Sequence, residues 1–593
     1  MYFYGLTSPP MTNRFLFLLA PLLLFSACKS DRDPARGDFE IVARMDADPD
    51  RLHPMLTTVA YATDILRMTH FPLLEYHPIT LELQPILAAQ LPTVTNIDTG
   101  MWAGGQAFAY EIRPEATWDD GTPITAADYI FTLKAAFHPL VKANAWRGFL
   151  SLIKDVIVDP ANPKKFTVLT GDNYFLSLPV TGNFNLYPRH KYDPNGFMDH
   201  VTLLQLGDPA IADSLVLADE RLVEFATLFT TDQYGRDTAF VSGSGPYRLS
   251  SWTTGEEILL ERKTNWWGDE VEKSNEQFIA RPGRIRYKII PDDQAALTLL
   301  RDGGLDVMGG VSPNLFAGIQ KDSLAGKAYE TYLAVFMKYV SLALNNHNPK
   351  LSDARTRNAL AHVIDMDATI KTVMLGLGER IIGPFHPSKP YYNKALKPLA
   401  YDPAKARQLL KEAGWADSNG DGTVDRIIDG KKVELQLTLL LSPGSDVGQN
   451  IGLLLQKGGK EAGMDIKVET KDFKLILGDM AQKNYDMTIV SPRQSPADDD
   501  PYQVWHSDSD RPDGSNRVGY NSPVADSLIL AIRDEKDNDK RYDLYKAFQK
   551  VLYQDQPAVF LYAPKEPVIC RKAIKGMIPS PMRPGYYLPF LYL

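Results

Sequence analysis

Trp118 to Phe137 read WDDGTPITAADYIFTLKAAF, and this stretch decides how the rest of the chain is read. Asp119-Asp120-Gly121 opens it as a turn, because the carboxylates bond nearby backbone and the glycine tolerates positive φ. Pro123 pre-sets φ for the element that follows. Thr125 stands three residues before Asp128, the spacing of a reciprocal helix cap. Ile130, Leu133 and Phe137 then recur at helical spacing, which predicts one apolar face, and Pro139 predicts the stop. A tight turn feeding a capped helix is structurally complete and names no chemistry by itself.

The string DGTPITAADYIFTL also resembles the "DG.P.TA.DV.FT" signature of the family 5 solute-binding proteins of ABC importers, the group of the oligopeptide- and dipeptide-binding proteins. Other stretches carry the resemblance in family order. Asp48 to Thr58, DPDRLHPMLTT, resembles an opening loop that lines the ligand cleft in the family. Tyr61-Ala62-Thr63 follow it and precede a helical run from Ile65 to Leu74. Gly243 to Gly268, GSGPYRLSSWTTGEEILLERKTNWWG, reads as two strands joined at Thr254-Gly255, a hairpin signal. Trp266 and Trp267 are expected to cover the core edge. In Ile285 to Val307, a strand leads to a helix with Ala295, Leu299 and Leu300 on one face, stopped by Gly303-Gly304. Ser352 is placed to cap the next helix, with Val363 and Ile364 inward. Pro403 marks another helix start, with Ala406, Leu409 and Leu410 on its buried face. From Leu435 the order strand, helix, strand predicts a parallel pair with a right-handed crossover.

The resemblance implies an α/β fold of two lobes, the type II periplasmic-binding-protein fold with an extra subdomain, hinged by crossing segments. The expected division is a signal peptide over 1–27, a lipidated tether over 28–37, and a first lobe over 38–334 with an inserted subdomain at about 75–190. A second lobe follows over 335–566, and 567–593 return to the first.

The N-terminus is read apart from the fold. Arg14 supplies a positive start, and Phe15 to Phe25, FLFLLAPLLLF, is an apolar run of signal-peptide length, too short to span a bilayer. Met11 is a second candidate start. Ser26-Ala27-Cys28 resembles a lipobox, which would make Cys28 the lipid-bearing first residue of the mature chain. Lys29 to Gly37 reads as a polar tether. Cys570 is the one other cysteine of the 593 residues, so a disulfide-free fold is expected. An apolar fraction of 44% suits a globular chain, and a net charge of -9 with no basic stripe argues against a nucleic-acid partner.

Enzyme signatures are missing: no G-x-S-x-G elbow, no H-E-x-x-H and no Walker A loop. Ser151 to Lys154 fits S-x-x-K without its companion motifs. Asp417, Asn419 and Asp421 have the 1, 3, 5 spacing of a calcium loop, but its twelfth position is Ile428. Neither a metal nor a cofactor is expected.

In peptide-binding members an aspartate four residues before a proline meets the peptide's amino terminus. The matching stretch is Ile489 to Trp505, IVSPRQSPADDDPYQVW, where that spacing from Pro501 falls on Ala497. Asp498 is one residue away. The family's tryptophan is absent, its place taken near Arg493 and Gln494. Arg493 suits a carboxylate, which a guanidinium grips with two parallel bonds. The expected ligand-binding set is Tyr61, Thr63, Arg493, Gln494, Asp498 and Tyr562.

The resemblance therefore implies a substrate-binding lipoprotein in the periplasm or cell envelope. It would act as a monomer, held to the membrane by its lipid, and deliver a peptide or other small solute to an ABC permease and its ATPase. A sugar or metal-chelate receptor on the same fold, an anchored hydrolase, and a surface adhesin or sensor are the competing readings.

Overall fold

The computed structural model describes residues 36–593 apart from 242, 445, 512 and 513. The signal segment, Cys28 and the tether up to residue 35 lie outside the described residues.

Two mixed sheets organise the chain. The first has seven strands, in spatial order Tyr329–Ala334, Glu566–Arg571, Val307–Gly309, Gly37–Met45, Pro282–Ile289, Glu257–Arg262 and Tyr247–Thr253. Gly37–Met45 pairs in parallel with Pro282–Ile289, setting Ile41 opposite Ile285 and Ala43 opposite Tyr287. All four are buried, and they share a core with Leu249, Leu260, Cys570 and Leu591. The hairpin of the first sheet turns through Gly255 at φ +78°, a left-handed conformation that a side chain disfavours.

The second sheet has six strands: Gly378–Arg380, Ala558–Pro564, Val340–Leu344, Met487–Val490, Gln436–Leu441 and Asp465–Thr470. Gln436–Leu441 and Asp465–Thr470 run parallel and are connected through the helix Asp446–Ala462. Parallel neighbours need such a crossover, since a tight turn would reverse the chain. Leu437, Leu439, Ile451, Leu455 and Ile466 form the buried seam between that helix and the sheet.

A four-stranded antiparallel sheet, Thr93–Asn96, Gln106–Glu111, Asn162–Thr170 and Ile153–Asp159, is inserted between strands of the first sheet. The helix Ala126–Phe137 packs against it. Its cap is reciprocal: Thr125 accepts from Ala127 N at 3.3 Å, and Asp128 Oδ2 accepts from Thr125 N at 2.9 Å. The helix is buried nearly all round, with Tyr129, Phe131 and Leu133 in the core and Ile130 half-buried. Helices further along, including Glu220–Phe229, pack into the same core through Leu222, Phe225 and Phe229. Trp266 and Trp267 close its edge, both donating their indole N–H to Ser244 O. The free thiol of Cys570 is buried, and burial pushes its pKa up to about 12.

Several local expectations change. The run from Ile65 to Leu74 is helical only within Ala60–Thr69, after which Leu74–Tyr76 is a strand. Asp353, not Ser352, caps the helix Ala354–Ala361, because its carboxylate reaches Arg355 N at 2.9 Å. The buried face of Asp293–Arg301 is Ala296, Leu297 and Leu300; Ala295 points to solvent. Leu409 is half-buried while Ala406 and Leu410 are buried. In the calcium-like loop, the Asp417 carboxylate accepts from Gly420 N at 2.7 Å and Gly422 N at 3.0 Å, so the loop's own amides occupy it.

Candidate functional site

The two large sheets are joined by two crossings. Residues 335–339 lead from Tyr329–Ala334 in the first sheet to Val340–Leu344 in the second, and Lys565 alone separates Ala558–Pro564 from Glu566–Arg571. Such short connections let two lobes rotate while keeping their register.

The first crossing is itself held by backbone bonds on two sides. Tyr339 N donates to Pro492 O at 3.2 Å and Gln494 N to Met337 O at 2.7 Å, while Met337 N donates to Pro581 O at 3.4 Å. Lys338 and Arg493 form an isolated antiparallel bridge between them. Arg493 thus sits on backbone hydrogen-bonded to the hinge.

Two adjoining cavities open here, of about 240 Å³ and about 160 Å³. Phe336, Lys338, Arg493 and Arg583 line both. The larger is completed by Asp46, Tyr61 and Asp64 from the first lobe. The smaller has mainly apolar walls, among them Met337, Pro496 and Met582, with Arg67 at its edge. A wider groove of about 680 Å³ lies elsewhere, lined by Lys350, Glu469 and Asp486 of the second lobe alone. Ligands in two-lobed α/β folds lie between lobes, so the cavities at the crossing are the candidate site.

Most charges of the cleft are matched in pairs. Arg44 Nη1 meets Asp293 at 2.7 Å, its Nε lies 3.2 Å from Asp46, and it also donates to the carbonyls of Ile290 and Pro291. Arg583 Nε donates to both oxygens of Asp64, at 3.1 and 2.9 Å, and its guanidinium stacks 4.1 Å above the Tyr61 ring. Lys338 pairs with Glu566. Burial pushes the Asp64 carboxyl up to about 6, against the opposing pull of Arg583. The side chains of Arg493 and Arg67 make no hydrogen bond or ion pair with the described residues, and Arg493 is exposed.

The acidic turn 498–500 faces its own cations. Asp498 pairs with Arg541 at 3.0 Å. Asp499 accepts from Tyr391 at 2.6 Å and from Gln494 at 2.7 Å, with Lys389 at 3.3 Å. Its carboxyl pKa is raised by burial, partly offset by Lys389. Asp500 binds Arg533 at 3.1 Å and the Tyr174 hydroxyl at 2.7 Å.

The structure brings Tyr61 and Arg493 to one cavity and Gln494 to the adjoining one. Thr63 is exposed and lines neither. Asp498 is held by Arg541, and Tyr562 is buried in the core of the second sheet. Arg44, Asp64, Lys338, Glu566 and Arg583 enter the site without a local sequence signal. Asp64 and Arg583 are 519 positions apart and meet only because the C-terminal segment returns to the first lobe.

The comparisons agree with this architecture. Residues 82–513 match the family model of the bacterial extracellular solute-binding proteins, family 5. The oligopeptide-binding protein AppA of Bacillus subtilis (strain 168) is 26% identical over 95% of this chain and 92% of its own length. Its crystal structure with a nonapeptide covers 94% of this chain and 99% of that one, at 22% identity and a TM-score of 0.70. NikA from Brucella suis, solved with Fe(III)-EDTA, covers 93% and 99% at 20% identity and a TM-score of 0.73. Two lobes about short crossings, a cavity between them and a family match over most of the length lead to one assignment: the chain belongs to the family 5 bacterial extracellular solute-binding proteins.

Proposed function

We propose that the protein captures a peptide or similar solute between its lobes and delivers it to an ABC permease driven by its ATPase. The observation that carries this is the cavity at the crossing, lined from both lobes and by the hinge itself. Closure over a solute held there changes the relative position of two faces that a permease can read. The solute must favour the closed state differentially, or binding signals nothing. A micromolar dissociation constant corresponds to about -8 kcal/mol. The nonapeptide bound to a relative of the same architecture supports a peptide as the first class to test.

In this reading the lobes divide at the two crossings, residues 335–339 and Lys565, and Tyr61, Arg493 and Gln494 belong to the binding surface. The apolar run Phe15 to Phe25 followed by Cys28 supports export and lipid anchoring at the cell envelope, with a monomer as the working unit. Cys28→Ser shifts the protein from the membrane fraction to the soluble fraction and removes a diacylglycerol mass from the mature N-terminus. Native mass spectrometry of the purified protein, followed by denaturation, tests the solute. Release of peptides of shared length is the expected result. Release of one non-peptide compound discards the peptide, and a protein that no solute mixture stabilises discards the transport reading.

A further inference from the structure

The charges of the cleft do not cancel, and the remainder has one sign. Each carboxylate lining the two cavities has an internal partner: Asp46 has Arg44, Asp64 has Arg583 and Glu566 has Lys338. The carboxylates of the acidic turn are likewise held by Arg541, Lys389 and Arg533. An incoming ammonium group would have to displace one of these cations. Arg541 is not easily displaced: it also donates to Glu535 O at 3.0 Å and stacks 4.8 Å over the Phe175 ring.

Among the described residues that line the two cavities, the guanidinium groups without a hydrogen-bond or ion-pair partner are those of Arg493 and Arg67, at the walls of the smaller cavity. Asp64 is the carboxylate within electrostatic reach of both, and Arg583 already holds it. Beside them Phe336, Met337, Pro496 and Met582 supply apolar wall. An unpaired guanidinium in a half-enclosed, partly apolar site binds an oxyanion more strongly than it would in open water, because the surroundings screen the pair less.

The geometry points to an anionic solute. Its carboxylate, or an oxyanion of the same geometry, is gripped by Arg493 and Arg67, its apolar body lies along Phe336 and Met582, and it needs no free ammonium group. This rests on the reading that the cleft at the crossing is the solute site, and it names the class of solute.

The test pairs organic acids with their own primary amides, including Nα-acetylated peptides as free acids and as amides. Each is offered to the purified full-length protein, with melting temperature and titration calorimetry as readouts. The expected result is that the acids that bind do so at least tenfold more tightly than their amides, with affinity falling as salt rises. Arg493→Gln and Arg67→Gln each remove that preference while leaving the ligand-free melting temperature in place, since neither side chain has a partner to lose. Free-amine peptide amides binding as tightly as the acids, or acids binding the two variants unchanged, overturns the anionic class and leaves the cleft as the solute site. A protein stabilised by no acid, amide or peptide overturns both.

Discussion

The Tyr174 hydroxyl donates to Asp500 Oδ2 at 2.7 Å. Tyr174 follows the strand Asn162–Thr170 of the inserted sheet, and Asp500 follows Met487–Val490 of the six-stranded sheet. The bond therefore ties parts of the molecule that must separate if the lobes open. It is reinforced on both sides. Arg533 lies 5.3 Å over the Tyr174 ring, Arg541 lies 4.8 Å over Phe175, and Lys536 donates to Asn173 O.

Tyr174→Phe removes the hydroxyl and keeps the ring. A hydrogen bond to a charged group contributes about 1.5–3 kcal/mol, less where water can replace it. The expected outcome is solute release roughly tenfold faster with little change in the association rate. Stopped-flow fluorescence checks this, and an unchanged release rate would show that the contact does not hold the closed form.

Asp498 is expected to matter for folding and not for ligand. Its partner Arg541 is buried, and breaking a buried pair from one side costs about 3–5 kcal/mol, which partial exposure of Asp498 reduces to about 2 kcal/mol. Asp498→Asn should lower the melting temperature by about 2 °C and leave affinity for a free-amine peptide within roughly twofold. A large loss of affinity with an unchanged melting temperature would make Asp498 the amine anchor instead.

Acidification should strengthen anion binding. The Asp64 carboxyl titrates at about 6 in the folded protein, above its ordinary value, so below that pH its charge is lost while Arg583 keeps its own. Arg67, Arg493 and Arg583 face it, with Asp46 beyond Tyr61; among the described residues no histidine lines either cavity. The positive excess of the cleft therefore grows by one charge as pH falls through 6. For a probe acid still ionised there, affinity should rise roughly threefold to tenfold between pH 7.5 and 5.5. By the same sign, Asp64 contributes stability below its ordinary carboxylate range, and that contribution is lost as pH rises to about 6. Calorimetry across the range checks the binding effect, and Asp64→Asn should flatten it.

The cap of Ala126–Phe137 separates two magnitudes. Thr125→Ala should cost about 1 kcal/mol, the usual value of an N-cap. Asp128→Ala should cost more, about 2–4 kcal/mol, because two backbone amides, Thr125 N and Arg189 N, lose a buried acceptor. Urea denaturation of the two variants gives the order directly.

The features that can be read along the chain are local. The reciprocal cap at Thr125 and Asp128, the hairpin at Gly255 and the parallel pair joined by the helix Asp446–Ala462 each depend on residues close in the chain, and their patterns are legible in order. Departures at this level are mostly shifts of a position, with the run from Ile65 to Leu74 ending early, at Thr69. Asp353 took the cap expected of Ser352 because an ionised carboxylate beside it is the better acceptor, and the helix Asp293–Arg301 is turned so that Ala296 is buried in place of Ala295. The charge state of the cleft was a tertiary matter. Arg493 stood out by its place in the motif, but the pairings Asp64–Arg583, Lys338–Glu566 and Asp498–Arg541 join residues far apart in the chain. Whether a carboxylate is free for a ligand depends on which cation folding sets within hydrogen-bond reach. Spacing along the chain carries no record of that distance, and the fold decided it by bringing the C-terminal return and the helix that carries Arg541 against the cleft.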